Sequence, residues 1–148
     1  MAESPVKVIF DTSVYIPFIN KGVAHPAFAF PGGNPVIYMS AVVMEELYAG
    51  AYDAESLKLL DKMQAIFRKV GRLTVPDAAD WVQAGKTIAK LGKKYGFDGI
   101  YLHKLTHDVL IALSARRIGA LVVTQNSKDF QRIREFVVFH LYSDQQAV

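Results

Sequence analysis

Cysteine is absent from the 148-residue chain, which excludes a disulfide framework, a thiolate metal site and a cysteine nucleophile. The N-terminal stretch "MAESPVKVIF" has neither a basic region nor a long apolar run. Secretion and membrane insertion are therefore not expected, and a reducing, cytoplasmic location is. No internal repeat or low-complexity tract is visible. What remains is 51% hydrophobic and 21% charged, the composition of a globular chain. This length suits one domain over residues 1–148, with a core that buries roughly 70% of the unfolded surface.

Acids are scarce in one region. From Lys86 to Arg134 there are ten basic residues but only three acids, Asp98, Asp108 and Asp129. Such an excess attracts a polyanion, although on charge alone a solvated helix face is the simpler account.

Lys7–Phe10 reads as a buried strand, and Ser13–Ile19 as a short helix ending near Asn20-Lys21-Gly22. The Gly- and Pro-rich segment "GVAHPAFAFPGGNP" reads as a loop, in which "HPAFAF" offers an apolar contact surface. Val36–Met39 is a second strand, and Ser40 caps a helix running to about Ala49-Gly50. Leu57, Leu60, Met63 and Phe67 have the spacing of an amphipathic helix. Leu73–Val75 is a short strand stopped by Pro76. Asp77 then caps a helix whose Trp81, Ile88 and Leu91 share a face, with Val82, Gly85 and Ala89 beside them. Val109–Ala115 is apolar almost all round and reads as a buried helix ended by Gly119. "ALVVT" is a strand, Asn126-Ser127 turns the chain, and Phe136–Phe139 is expected as the last strand. Strands alternating with helices imply a mainly parallel sheet covered on both faces, a three-layer α/β/α sandwich.

Three acids fall where burial is costly. Asp11 ends the first strand, Glu46 lies in the helix after "SAVVM", and Asp108 opens the most apolar helix. Left unpaired, each would lose several kcal/mol of hydration or take up a proton. Gathered around a divalent cation, all three would be compensated, and hard oxygen ligands select Mg2+ or Mn2+. Taken singly, Asp11 and Asp108 are equally well explained as helix N-caps, and Glu46 as an exposed helix residue beside Glu45.

The stretches "VIFDTSVY", "SAVVMEELYAG" and "HDVLIALSARRIGALVVTQNSKDF" resemble, in order and spacing, the PIN-domain ribonucleases, particularly the VapC-type toxins. The resemblance places that family's glutamate on Glu46 and not Glu45, and its third acid on Asp108. It departs after the penultimate strand, where the family often has T-R-D or T-R-N-x-x-D-F. Here "TQNSKDF" puts Asn126 in the acid's place and Asp129 one turn later, so the fourth position falls to one of these two, and a neutral Asn126 compensates less positive charge than an acid would. Gln125 replaces the frequent arginine.

The resemblance implies metal-dependent RNA cleavage. Asp11, Glu46 and Asp108 would be catalytic and, with Asp129, would hold one or two Mg2+ or Mn2+ ions. Thr12, Ser13, Thr124 and Asn126 would support them from behind, although capping and turn hydrogen bonds explain the hydroxyls equally well. Lys104, Arg116 and Lys128 would hold the RNA backbone. The same resemblance implies a homodimer and a small antitoxin that blocks the site.

Other readings fit less well. A haloacid-dehalogenase phosphatase needs D-x-D after the first strand, where this chain has Asp11-Thr12-Ser13. His103 and His107 have the i, i+4 spacing of a zinc hydrolase, yet Lys104 stands where H-E-x-x-H needs its base. They read as loop or helix-surface residues, with His107 near the metal edge. A PIN-like domain of weak or no activity, serving as an RNA- or protein-binding scaffold, is the alternative that Asn126 keeps open.

Overall fold

Val8, Ile9 and Phe10 have no exposed surface, because their strand, β1 (Lys7–Phe10), is the middle of a five-stranded sheet. Only a strand covered on both faces reads as such an unbroken apolar run. The computed structural model describes residues 5–22 and 35–143; the "HPAFAF" stretch lies outside the described residues. The other strands are β2 (Val36–Ser40), β3 (Leu73–Thr74), β4 (Leu121–Thr124) and β5 (His140–Ser143). Their order is β3-β2-β1-β4-β5 and every pairing is parallel. Six helices flank this sheet: α1 (Thr12–Lys21), α2 (Ala41–Ala49), α3 (Ala54–Lys69), α4 (Ala78–Tyr95), α5 (Gly99–Ile118) and α6 (Ser127–Ile133). The result is the expected three-layer α/β/α architecture.

The chain leaves β1 for β2 and β3 on one side, then returns through α4 and α5 to place β4 on the other. β1 and β4 thus flank the topological switch point, and the crevice beyond their carboxyl ends is where open α/β sheets bind ligands. Asp11 and Thr124 stand at those two ends.

Several local signals act as expected. The Ser40 hydroxyl accepts from the Val42 amide at 3.1 Å, and Asp77 and Asp80 form a reciprocal capping box. Gly119 stops α5 with φ of 69°, a left-handed conformation that costs glycine little.

Other expectations need correction. Asp108 opens no helix: α5 starts at Gly99, capped by Asp98, and Asp108 lies in its middle. Asn126-Ser127 is the entry to α6, a short helix the turn signal concealed. The last strand is β5, not Phe136–Phe139. The amides of Phe136 and Val137 are bonded to the Ile133 carbonyl at the end of α6, so they cannot join a ladder, while Val137 and Phe139 are buried in the core.

The expected face of α4 is met in part. Leu91 is buried and Ile88 packs partly buried against the core, but Trp81 is 54% exposed, and Asp80, Ala84 and Thr87 are buried beside Leu91. Small residues on that face bring α5 close, and a Cβ on Gly92 would stand 2.9 Å from Leu102 Cδ1. Asp80 turns inward onto the Arg117 guanidinium of α5, which also reaches Asp77 at 3.3 Å and donates to the Val75 carbonyl at 3.2 Å. On α3, Leu60 is buried but Leu57 is 41% exposed, a narrower apolar stripe than its spacing implied.

Candidate active site

Asp11 occupies the N-cap position of α1, but its side chain makes no capping bond. Its carboxylate is held from two other directions. Ser13 Oγ donates to Oδ1 at 2.5 Å, and Thr124 Oγ1, at the tip of β4, donates to Oδ2 at 2.7 Å. The same hydroxyls accept from the chain beyond β4: the Gln125 amide bonds Ser13 Oγ at 3.0 Å, and the Asn126 amide bonds Thr124 Oγ1 at 2.9 Å. Two strand tips and a loop are thereby locked around one carboxylate. Burial pushes the Asp11 pKa up, opposed by these hydrogen bonds.

Glu46 projects from α2 toward the same crevice. Burial raises its pKa; His107 and the Thr12 hydroxyl oppose this, and the charges of Asp11 and Glu45 add to it. His107 Nδ1 lies 3.7 Å from Glu46 Oε1. Thr12 Oγ1 is buried close by without a hydrogen bond of normal geometry. Asp108 comes from the middle of α5, and burial followed by the charges of Asp11, Glu46 and Asp129 pushes its carboxyl up to about 8. Burial is the first cause of all three shifts, and neighbouring like charges add to it at Glu46 and Asp108.

Asp11, Glu46, Asp108 and Asn126 line one cleft of about 170 Å³, with Thr12, Ser13 and Ile111 completing its wall. Asp129 does not line it. Its carboxylate accepts from the Tyr101 hydroxyl of α5, with Arg132 Nη1 3.8 Å away. Arg132 in turn sits over the rings of Tyr95 and Phe97. Tyr101 is the residue that sequence reasoning missed, because a partner 28 residues from Asp129 leaves no local signal.

The basic residues divide. Lys104 is one turn before Asp108 on α5, and Lys128 lies in the first turn of α6, beside Asn126; both are exposed. Arg116 is misplaced for the expected role. It follows Asp108 by eight residues, roughly 12 Å along the helix, toward the end that leads into the start of β4 and away from the cleft. His103 and His107 both lie on α5; His107 stands beside Glu46 but does not line the cleft.

Among the described residues, no three His, Asp or Glu side chains stand close enough to ligate one ion without adjustment. In donor type the cleft nevertheless suits a hard divalent cation, being made of carboxylate oxygens. The mutual repulsion that raises Asp108 is what a cation would relieve.

The PIN-domain family model matches residues 8–135. This chain belongs to the PIN-domain family. The matched segment contains every residue of the cleft. Solved structures similar to this PIN domain include the DNA-bound VapBC of Salmonella typhimurium, with TM-score 0.66 and 22% identity over 93% of this chain and 98% of that one. VapBC-1 of nontypeable Haemophilus influenzae gives TM-score 0.60 and 21% identity over the same shares, 93% and 98%. VapBC-5 of Mycobacterium tuberculosis, a member of a family of toxin–antitoxin systems, gives 0.53 and 18% over 94% and 99%. At these identities the likeness is one of fold. Against curated protein sequences there is no match. Among the described residues, no helix is long and apolar enough to cross a membrane.

Proposed function

We propose that this PIN domain is a metal-dependent endoribonuclease and the toxin of a toxin–antitoxin pair. The observation that carries the reading is the convergence of Asp11, Glu46 and Asp108 on one cleft at the switch point of the sheet. Those three carboxylates would hold Mg2+ or Mn2+, the ion supplying an activated water and a polarised scissile phosphate. The chain's own residues do the rest. Ser13 and Thr124 fix both oxygens of Asp11 in one orientation. Glu46, with its side chain 32% exposed, would accept a proton at a carboxylate oxygen not engaged as a ligand. The Asn126 amide sits at the rim to orient the reacting groups, while Lys104 and Lys128 hold the RNA backbone from either side. The fold likeness to VapBC proteins supports a cognate antitoxin; in this proposal the antitoxin blocks the cleft and the toxin is a homodimer.

The purified chain, free of any antitoxin, is expected to cut single-stranded or loop RNA with Mg2+ or Mn2+ and to stop on addition of EDTA. Attack by water leaves 5′-phosphate and 3′-hydroxyl ends. Cleavage that survives both EDTA and Asp11→Ala, or that leaves a 2′,3′-cyclic phosphate, would refute the mechanism. The second reading, a scaffold of weak or no activity, has the neutral Asn126 and the open carboxylate spacing in its favour. RNA or protein binding with no cleavage of any RNA would select it.

A further inference from the structure

Thr12 and Glu46 line two cavities. One is the acidic cleft; the other, about 320 Å³, extends from it between α1, the end of α2 and the start of α3. Its lining is mixed: Ile16, Ile19, Leu47 and Ala51 are apolar, and Thr12, Asn20, Glu46, Asp53 and Ser56 are polar or acidic. At the rim stands Tyr52, 93% exposed. Among the described residues Tyr52 makes no hydrogen bond, ion pair or ring contact, and the Asn20 amide, also in the lining, has no side-chain partner. Asp53 is already engaged: its Oδ1 accepts from the Ser56 amide at 2.7 Å and its Oδ2 from the Ser56 hydroxyl at 3.0 Å.

We propose that this second cavity takes one unpaired nucleobase of the RNA beside the scissile phosphate, with Tyr52 stacking on its face and Asn20 bonding its edge. The inference rests on the nuclease reading and adds a specificity subsite to it. Three features select a base. The cavity shares Thr12 and Glu46 with the carboxylate cleft, so a nucleotide whose phosphate lies there has a neighbouring base within reach. Its volume is at the lower end of ligand pockets, about 300 Å³ and upward, enough for a single planar ring system. Finally, Asp53 lines it away from the cleft and, among the described residues, no Lys or Arg does, so nothing there draws in the sugar–phosphate chain and the neutral base is the part that enters. Single-stranded RNA is read in this way, by splayed bases stacked on aromatic side chains.

The test measures affinity for a labelled single-stranded RNA and for an abasic oligomer of equal length, with Ca2+ in place of Mg2+. Tyr52→Ala is expected to weaken RNA binding roughly tenfold, the scale of one lost base–aromatic stack, and to leave the abasic oligomer unaffected. Tyr52→Phe should bind like wild type. Hydrolysis of bis(p-nitrophenyl) phosphate with Mn2+, a substrate without a base, should be unchanged in Tyr52→Ala. Equal losses on RNA and the abasic oligomer, or no loss on either, overturn the subsite. RNA affinity that survives Tyr52→Ala while binding of an antitoxin peptide is lost assigns the cavity to protein and overturns it too. The two readings fail separately. RNA cleaved by Tyr52→Ala with wild-type KM removes the subsite and leaves the nuclease. Base-dependent binding lost in Tyr52→Ala, with no cleavage of RNA or of the small diester, removes the nuclease and leaves the subsite.

Discussion

Thr124 Oγ1 donates to Asp11 Oδ2 at 2.7 Å across 113 residues of sequence, joining the carboxyl ends of β1 and β4. The bond explains why a buried carboxylate is tolerated at the tip of the most apolar strand. Each of its oxygens has a hydroxyl donor, and each hydroxyl passes the restraint on to the backbone of residues 125 and 126. Hydrogen bonds to charged groups are among the stronger ones in proteins, and here they fix the orientation of the Asp11 carboxylate in the cleft.

Replacing Thr124 with Val keeps the shape but removes that donor and the acceptor of the Asn126 amide. Leaving buried polar groups unsatisfied should cost about 1–3 kcal/mol of stability, read from urea unfolding. If Asp11 is a ligand, Mn2+ affinity should fall by about 10–100-fold as its orientation loosens. An unchanged unfolding midpoint together with unchanged Mn2+ titration would show that the bond matters to neither.

Stability without metal should fall as pH rises. The Asp108 carboxyl ionises near 3.8 when unperturbed and near 8 in the folded protein. Between those values the native state binds a proton that the unfolded chain does not, so the contribution is whole below about 4 and lost as pH passes about 8. Wild-type melting temperature in EDTA should therefore be lower at pH 8.5 than at pH 5. Asp108→Asn should flatten the profile and melt at or above wild type at the higher pH, while abolishing cleavage. A variant that melts well below wild type at both pH values would assign Asp108 a structural role instead.

Asp129 and Asp108 should separate cleanly in function. Because Asp129 is bound to Tyr101 outside the cleft, Asp129→Asn should keep most RNA cleavage and the wild-type Mn2+ stoichiometry. Asp108→Asn should lose activity by at least ~100-fold, as removal of a metal-holding carboxylate does. If Asp129→Asn instead loses a bound Mn2+, counted by electron paramagnetic resonance, the carboxylate leaves Tyr101 when metal binds.

Arg117 should matter for stability alone. Its guanidinium is the partner of Asp80, whose side chain is only 10% exposed. Arg117→Ala is expected to cost about 1–2 kcal/mol, reduced from the fully buried case because Arg117 itself is partly exposed. A double-mutant cycle with Asp80→Ala measures the coupling, and RNA cleavage per folded molecule should stay unchanged.

Much of the fold is legible in short stretches. An unbroken apolar run marks β1, and cap residues such as Ser40, Asp77 and Gly119 mark helix ends, because each acts on its own few neighbours. Asp11, Glu46 and Asp108 stand out as acids that are costly to bury, and the resemblance to PIN-domain ribonucleases singles them out as a set. The failures share one cause. The start of α5 at Asp98 was hidden because its first two turns are not uniformly apolar. The strand expected at Phe136–Phe139 was displaced because Ile133 had already taken two of its amides.

Local chemistry thus settles which segments are strands and helices and which acids are costly to bury. It does not settle where the side chains meet. The inward face of α4 depends on Arg117 from another helix, and the exclusion of Asp129 from the cleft depends on Tyr101. Arg116 is carried to the far end of α5 although its charge resembles that of Lys104. Helix phase and the direction of a chain return are set by packing between distant elements, whose gain in buried area outweighs the smaller preferences of any single segment.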